Sequence, residues 1–577
     1  MINIIRKTGW FIKKEWKSYT MMLIYLIMIA VLALTPAYVL GIAIDVIVSK
    51  GLTWESLSFI VGALILIPIV RYLTSFIYNY TSSKTAQKLA FEFRKIYLKK
   101  LFEMDAEFYE RFQKGDLISR ATADLDMITV AATSVLEGII FNVGIIMFAI
   151  GVMAFTISWE LTLISVTIMP IGISLLNRIR MSKRSYVKVH REIYASMTEK
   201  ILESVEGQKT IRAYVQEEND LNEQHNAIEK DIRSWRYIIN YENKLAPLFE
   251  SVYAIAYILA FVFGAFFIIN QQMTLGQLII FISYIGILYG PIISISGVFQ
   301  HINNATVAID RFDEIMQVDP QVKNEDIPEP IIDFKTIEFK NVTFKYPLDE
   351  RLTLEDINLT IKKGQTIGVV GPTGSGKSTL VRQLLREFNV TGGDIYIDNK
   401  NIKRYNIKGL RTIVGYVPQT HMLFRRKVTE NILIGKPEAS IDQLNLAIKI
   451  ADFEKDIGFL TNGLQTRVGE GGTTLSGGQK QRLSIARAII RDPEILILDD
   501  SLSAVDANTE ETILRQLKTY RSGNTNIIVA HRFSAIRDAD QIIVMDQGRI
   551  VEIGRHDELI QNDGWYKAQY DQQMKMK

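Results

Sequence analysis

Six apolar stretches constrain this chain more than any other feature. They cover residues 21–46, 57–80, 135–157, 160–179, 247–270 and 274–297. Each is near or above the roughly 20 residues that a helix needs to cross a bilayer, so each reads as a spanning helix. The first follows Arg6, Lys7, Lys13, Lys14 and Lys17 and is too long for a signal-peptide core of roughly 7–15 residues, so it reads as a retained span. The segment before it carries Trp10, Phe11 and Trp16 among the lysines. That pattern suits a helix lying at the membrane surface; a solvated leader is the plainer alternative.

The spacing of the stretches sets the topology. Segments 1 and 2, 3 and 4, and 5 and 6 are joined by short loops poor in Lys and Arg, whereas long polar stretches, 81–134 and 180–246, separate the others. Basic residues crowd in and beside the long stretches, among them Arg94, Lys95, Lys99, Lys100, Arg178, Arg180, Lys183 and Arg184. The positive-inside bias places both stretches and the N-terminus in the cytoplasm, and six spans return the chain there. Few helix breakers interrupt the long stretches, so the helices are expected to continue far past the bilayer. Short turns are expected at Gly115 and Gly207, with FYERFQKGDLISR (108–120) and EGQKTIRAYVQEE (206–218) at the far tips. Tips that far from lipid are expected to touch another domain.

After residue 317 the composition shifts. VDPQVKNEDIPEP holds three of the 13 prolines and reads as a linker, 318–333. From Phe334 onward, the runs TIEFKNVTFKY, QTIGVVG, TIVGYV, EILILDD, TNIIVAHR and QIIVMDQGRIVEIG alternate with helical patterns, which predicts an α/β domain with a mainly parallel sheet. The expected domains are a six-helix transmembrane domain over 1–317, the linker, and a nucleotide-binding domain over 334–577. A net charge of +3 gives no bulk attraction for nucleic acid. With no cysteine, disulfides and thiolate metal sites are excluded.

The chemistry sits in the second half. GPTGSGKST (371–379) follows a strand and opens a helix, the context that identifies a phosphate loop. Backbone N–H groups of Gly371, Thr373, Gly374, Ser375, Gly376 and Thr379 would face the phosphates, with the helix dipole behind them. Lys377 would reach the β- and γ-phosphates and Ser378 would ligate Mg²⁺. ILILDD (495–500) delivers Asp499 to a strand end, suited to the same Mg²⁺. LSGGQKQR (475–482) is a second glycine turn into a helix, and one nucleotide does not need two cradles on one chain. A cradle for another subunit's nucleotide makes sense of Ser476, Gly477, Gly478 and Gln479. Tyr346 could stack on a purine or serve as a core tyrosine. Gln419 and His531 end strands, where polar groups can meet a γ-phosphate or water; alone, each would read as structural.

Taken together, these residues resemble a half-size ATP-binding-cassette exporter over nearly the whole chain. The likeness implies an all-α six-helix exporter-type transmembrane domain followed by an α/β P-loop nucleotide-binding domain, with ATP and Mg²⁺ as cofactors. It assigns 371–379 to the phosphate loop, Tyr346 to the adenine platform, Gln419 to the Q-loop beside the metal, 475–479 to the signature, 503–506 to the D-loop and His531 to the switch. TRVGEGG (466–472) resembles the exporter loop before the signature. The segments 108–120 and 206–218 resemble coupling helices. The family implies head-to-tail closure of two nucleotide domains, each ATP lying between one phosphate loop and the other chain's signature.

One residue departs from the pattern. Asp500 stands where the family places the glutamate that polarises the attacking water. Basicity differs little, by ~0.4 pKa unit, but aspartate is one methylene shorter, and misplacement by about 1 Å can cost on the order of a hundredfold in rate. This site is expected to bind MgATP well and hydrolyse it slowly. Such a chain is similar to the degenerate-site subunit of bacterial heterodimeric multidrug exporters, whose partner keeps the glutamate. The expected partners are a second half-transporter, an amphipathic small molecule and the lipid of the bacterial plasma membrane, with both termini cytoplasmic. The alternatives are a homodimeric lipid or lipid-precursor flippase and an ATP-gated channel or regulator. Arg71, Glu137 and Glu250 lie in or near spans, and Tyr253, Tyr257, Phe261, Tyr284 and Tyr289 could line a cavity, although packing is the commoner use of such aromatics.

Overall fold

The computed structural model describes residues 2–575 apart from 52, 326, 332 and 473. The chain divides into two compact units, residues 1–99 with 118–317, and residues 100–117 with 318–577.

The first unit is helical throughout. Among the described residues, five helical runs are long and apolar enough to cross a membrane: Trp16–Ser49, Trp54–Glu103, Lys114–Ile157, Glu217–Ile269 and Leu275–Gln317. A shorter apolar helix covers Trp159–Gly172, with a break at Thr167 between Trp159–Val166 and Ile168–Glu206. Pro36, Pro68, Pro247 and Pro291 lie inside these helices, a placement that membrane helices tolerate because neighbouring groups re-satisfy the freed carbonyls. The amphipathic helix Ile2–Lys14 precedes the first long helix, burying Phe11 and exposing Trp10. Lys14 reaches Glu92 at 2.7 Å and Lys7 reaches Asp313 at 2.5 Å.

Tyr253 and Tyr284 are buried in the helical core with Leu34, Phe249 and Phe281. Phe261 is exposed, and Tyr257 and Tyr289 are half-buried. Tyr253, Phe249 and Tyr289 pack on one another with ring centroids 4.8–5.2 Å apart. Arg71 and Glu250 are exposed, and the Glu137 side chain lies outside those described.

The expected turn at Gly115 moves. The breaks fall at Met104–Asp105 and Phe112–Gln113, and Gly115 sits inside the short helix Lys114–Ser119. Asp105 explains the first break: Oδ1 caps the helix Ala106–Arg111 by accepting from the Phe108 N–H at 3.2 Å, and Oδ2 accepts from Val322 N–H at 2.9 Å. One carboxylate thus serves a helix start and the linker together. Phe108 and Phe112, in the second unit, are buried. Gly207 does separate two helices, Ile168–Glu206 and Gln208–Ala213.

The second unit holds two sheets, where the sequence points to a mainly parallel one. Strands β1 (Thr336–Phe344), β2 (Leu354–Lys362), β4 (Gly392–Ile397) and β5 (Lys400–Asn401) form an antiparallel sheet in the order β2-β1-β4-β5. Strands β3 (Thr366–Val370), β6 (Val414–Val417), β7 (Ile495–Asp499), β8 (Thr525–Val529), β9 (Gln541–Asp546) and β10 (Arg549–Gly554) form the other, ordered β10-β9-β3-β8-β7-β6. Only the β9–β10 hairpin in it is antiparallel; its two-residue turn takes positive φ at Gln547 and Gly548, the geometry that tight hairpins favour. The alternating burial along β2 marks the antiparallel sheet, whereas β7 and β8 are buried at every position, as strands covered on both faces are.

Candidate functional site

The parallel register decides where the motifs meet. Val369 of β3 pairs with Val529 of β8, Asp499 of β7 also pairs with Val529, and Val417 of β6 pairs with Leu498. The loops after β3, β6, β7 and β8 therefore open on one edge, the carboxyl edge at which open α/β sheets bind ligands. They carry residues 371–379, Gln419, Asp500 and His531 respectively.

The loop after β3 is shaped for a phosphate chain. Gly374 and Gly376 have φ of +83° and +95°, which L side chains rarely adopt, and a Cβ on Gly371 would stand 2.0 Å from the Met545 carbonyl oxygen. The Ser375 hydroxyl is buried without a hydrogen-bond partner among the described residues. Lys377 donates to the carbonyls of Gly371 at 2.9 Å and Pro372 at 2.7 Å. Burial pushes its ammonium down, and Asp500 and Asp499 hold it up. An ammonium resting on its own loop's carbonyls is one that an incoming anion can redirect.

The acidic strand end faces this loop. Asp499 is only 1% exposed; its Oδ1 accepts from Ser378 Oγ at 2.7 Å and its Oδ2 from the Tyr416 hydroxyl at 3.0 Å. Burial pushes the Asp499 carboxyl up, the two hydroxyls pull it down, and Asp500 raises it further. Gln419 Nε2 donates to Asp500 Oδ2 at 3.3 Å. The Ser378 hydroxyl, the Asp499 carboxylate and the Gln419 amide oxygen form a donor set of hard oxygens that fits Mg²⁺ beside a triphosphate. Asp500 has φ of +48°, and its N–H donates to the Val529 carbonyl at 3.0 Å. His531 and Asp500 line one small cleft with Ser503.

Tyr346 is half-buried beside the loop. Its hydroxyl lies 3.0 Å from Thr379 Oγ1, and its ring packs edge-on against Phe344 at 4.9 Å and Phe388 at 5.4 Å. The signature residues sit elsewhere. Ser476 caps the helix Gly477–Ile489 in a reciprocal box with Gln479, at 3.3 Å and 3.0 Å. A Cβ on Gly478 would lie 3.3 Å from the Ala504 carbonyl oxygen. No hydrogen bond among the described residues joins 475–479 to 371–379.

Several contributors escape a reading of the sequence. Tyr416 meets Asp499 only because β6 and β7 pair in parallel. Glu510, buried, accepts from Arg532 at 3.2 Å and from Ser534 Oγ at 2.6 Å, tying the D-loop helix to the His531 loop. Arg482 and Asp456 form a buried bidentate pair at 2.6 Å and 2.7 Å beneath the signature. Of these only Tyr416, a hydroxyl inside the apolar run TIVGYV, carries a sequence signal.

Known proteins share this layout. Residues 19–292 match the ABC transporter transmembrane region family and residues 354–503 match the ABC transporter family. The chain is 36% identical to the probable multidrug resistance ABC transporter ATP-binding/permease protein YheI of Bacillus subtilis (strain 168), over 99% of this chain and 98% of that one. It is 33% identical to the multidrug resistance-like ATP-binding protein MdlA of Escherichia coli (strain K12), over 99% of this chain and 96% of that one. A solved bacterial Atm1-family ABC exporter with ATP bound has the same fold, with a TM-score of 0.83 at 23% identity, over 96% of this chain and 99% of the other. The chain belongs to the ABC transporter family: it is a multi-pass membrane protein of the exporter fold whose ATPase domain is coupled to transport.

Proposed function

We propose that this chain is one half of a heterodimeric ATP-driven exporter of amphipathic small molecules, binding MgATP at a slow site and completing a fast one on a different half-transporter. The observation that carries the reading is Asp500. It stands at the end of β7 beside Gln419, one methylene short of the family's glutamate, while the signature 475–479 is intact. A homodimer would carry the short arm twice; a partner with glutamate carries one competent site. The names of the relatives, multidrug resistance proteins among them, support an amphipathic cargo. The Lys and Arg bias of 81–134 and 180–246 supports cytoplasmic termini, and the proposed layout is a six-span domain over 1–317, a linker over 318–333 and a nucleotide domain over 334–577 in the bacterial plasma membrane. In this topology the short apolar helix Trp159–Gly172 counts as the remaining span.

In the mechanism, the backbone of 371–379 holds the phosphates and Tyr346 holds the base. Ser378, Asp499 and Gln419 would hold Mg²⁺, which supplies charge neutralisation at the phosphates when bound. Lys377 leaves its loop carbonyls to meet the β- and γ-phosphates. Asp500 takes the place of the general base, orienting water from too far back, and His531 faces the γ-phosphate. Ser476 to Gln479 close over the partner's nucleotide. The segment 206–218 supports a second subunit as well: Tyr214 and Val215 are 73% and 80% exposed, large side chains that a partner would cover, while the φ of +54° at Val215 closes the helix Gln208–Ala213, with the Gln216 N–H donating to the Ile211 carbonyl at 3.0 Å.

The test is to purify the chain alone and together with a candidate second half-transporter, each in lipid nanodiscs. Drug-stimulated ATPase is expected only from the pair. Full stimulated turnover from the lone chain overturns the pairing, and stimulation by lipid but not by drug overturns the cargo class.

A further inference from the structure

We propose that Gln573, near the end of the last helix, is a positioning residue for the loop that carries His531. The claim goes beyond the family motifs, all of which end before it, and it rests on the reading of His531 as the residue that faces the γ-phosphate.

The side-chain amide of Gln573 spans this loop. Nε2 donates to the His531 carbonyl at 2.8 Å and Oε1 accepts from the Phe533 N–H at 3.3 Å. One planar amide thus binds the backbone on both sides of Arg532, fixing the distance between the two peptide groups. Phe533 is buried, and removing the glutamine oxygen takes away the partner of its N–H in a part-buried bond.

The helix that holds Gln573 is anchored. In Trp565–Lys575, Tyr566, Tyr570 and Gln573 share one face by their i, i+4, i+7 spacing. Tyr566 is fully buried, its ring is 4.9 Å from the Phe533 ring, and its hydroxyl lies 2.7 Å from His556 Nδ1. Tyr570 stands 5.8 Å from the same Phe533 ring. The tyrosines set the height of the helix and the glutamine uses that height to hold the loop.

A second tie holds the loop from the opposite side. Arg532 donates to the carbonyls of Val505 at 3.0 Å and Ser503 at 3.3 Å and to the Glu510 carboxylate at 3.2 Å. The His531 loop is therefore suspended between the D-loop and the C-terminal helix. Cutting only the Gln573 side shifts the imidazole without releasing the loop, and a shift near 1 Å at a reacting centre is enough to slow chemistry.

The experiment compares full-length chains in nanodiscs, both wild type and with Asp500→Glu, using MgATP and phosphate release. Gln573→Met keeps the length and removes both hydrogen bonds. Gln573→Glu keeps the acceptor for Phe533 and turns the donor into an oxygen facing the His531 carbonyl. Each is expected to lower kcat by roughly fivefold, short of the hundredfold that a freed group can lose, with the KM for MgATP within about twofold. Added to His531→Ala, Gln573→Met is expected to lower kcat no further, since the glutamine acts through the histidine. Unchanged kcat in either glutamine variant overturns the proposal, as does a multiplied loss in the double variant, which a purely stabilising contact would give. A His531→Ala chain with normal kcat overturns the reading of His531 itself, which the other outcomes leave standing.

Discussion

Replacing Asp500 with glutamate sets two structural effects against each other. The added methylene moves the carboxylate forward by about 1 Å, the scale on which misplacement costs on the order of a hundredfold in rate. That factor corresponds to ~2.7 kcal/mol of barrier at ~1.36 kcal/mol per decade. The opposing effect is conformational. Asp500 holds φ of +48°, a left-handed conformation that costs ordinary L-residues roughly 1–2 kcal/mol and aspartate less. Glutamate therefore loses about 1 kcal/mol of folding stability, equivalent to a Tm lower by about 2–4 °C for a domain of this size. It also breaks the 3.3 Å bond from Gln419 unless the amide follows. The strain weighs on ground and transition states alike, so the gain in reach wins for turnover. Phosphate release at saturating MgATP from the full-length chain in nanodiscs is expected to rise toward about a hundredfold, with KM within about twofold. A change smaller than about twofold in turnover, with Tm lowered as expected, refutes the claim that reach limits this site.

Three other outcomes follow from the geometry. Tyr346→Ala is expected to raise the Kd for ATP by about fivefold or more, since base stacking contributes roughly 1–3 kcal/mol, while Tyr346→Phe, losing only the hydroxyl near Thr379, stays within about threefold; titration with a fluorescent nucleotide reads both. Asp456→Ala strands the buried Arg482 guanidinium and is expected to cost about 3–5 kcal/mol, seen as a lower unfolding midpoint in denaturant. Asp499→Asn separates stability from binding. Burial raises the Asp499 carboxyl in the folded chain, so its contribution to stability is present below the unfolded pKa and lost as the pH rises through the folded one. The nucleotide-free Asn variant is then expected to melt above wild type at pH ~7.5, with the gap closing as the pH falls toward about 4, and to lose the thermal protection that MgATP gives wild type.

What could be read without coordinates was local. Apolar length is a sum over neighbours, so the membrane-crossing stretches show in the sequence, although the break at Thr167 and the π-helical turn at Met153–Ile157 do not. The phosphate loop shows because glycines are demanded by φ at Gly374 and Gly376, a property of single residues. The break at Met104–Asp105 is not legible in the sequence because Asp105 takes its second partner, Val322, from 217 residues away.

The sequence alone determined that this is a membrane protein with a phosphate loop, an acidic strand end, a signature turn and an aspartate where glutamate is expected. Tertiary structure decided which of these meet: Ser378 with Asp499 across 121 residues, Gln419 with Asp500 across 81, and Gln573 with the His531 loop across 42. It also decided that the second sheet is antiparallel. The reason is physical: periodicity, hydropathy and positive φ are properties of a few adjacent residues. The order of parallel strands is set instead by how buried faces pack across the whole domain, and that order assembles the site.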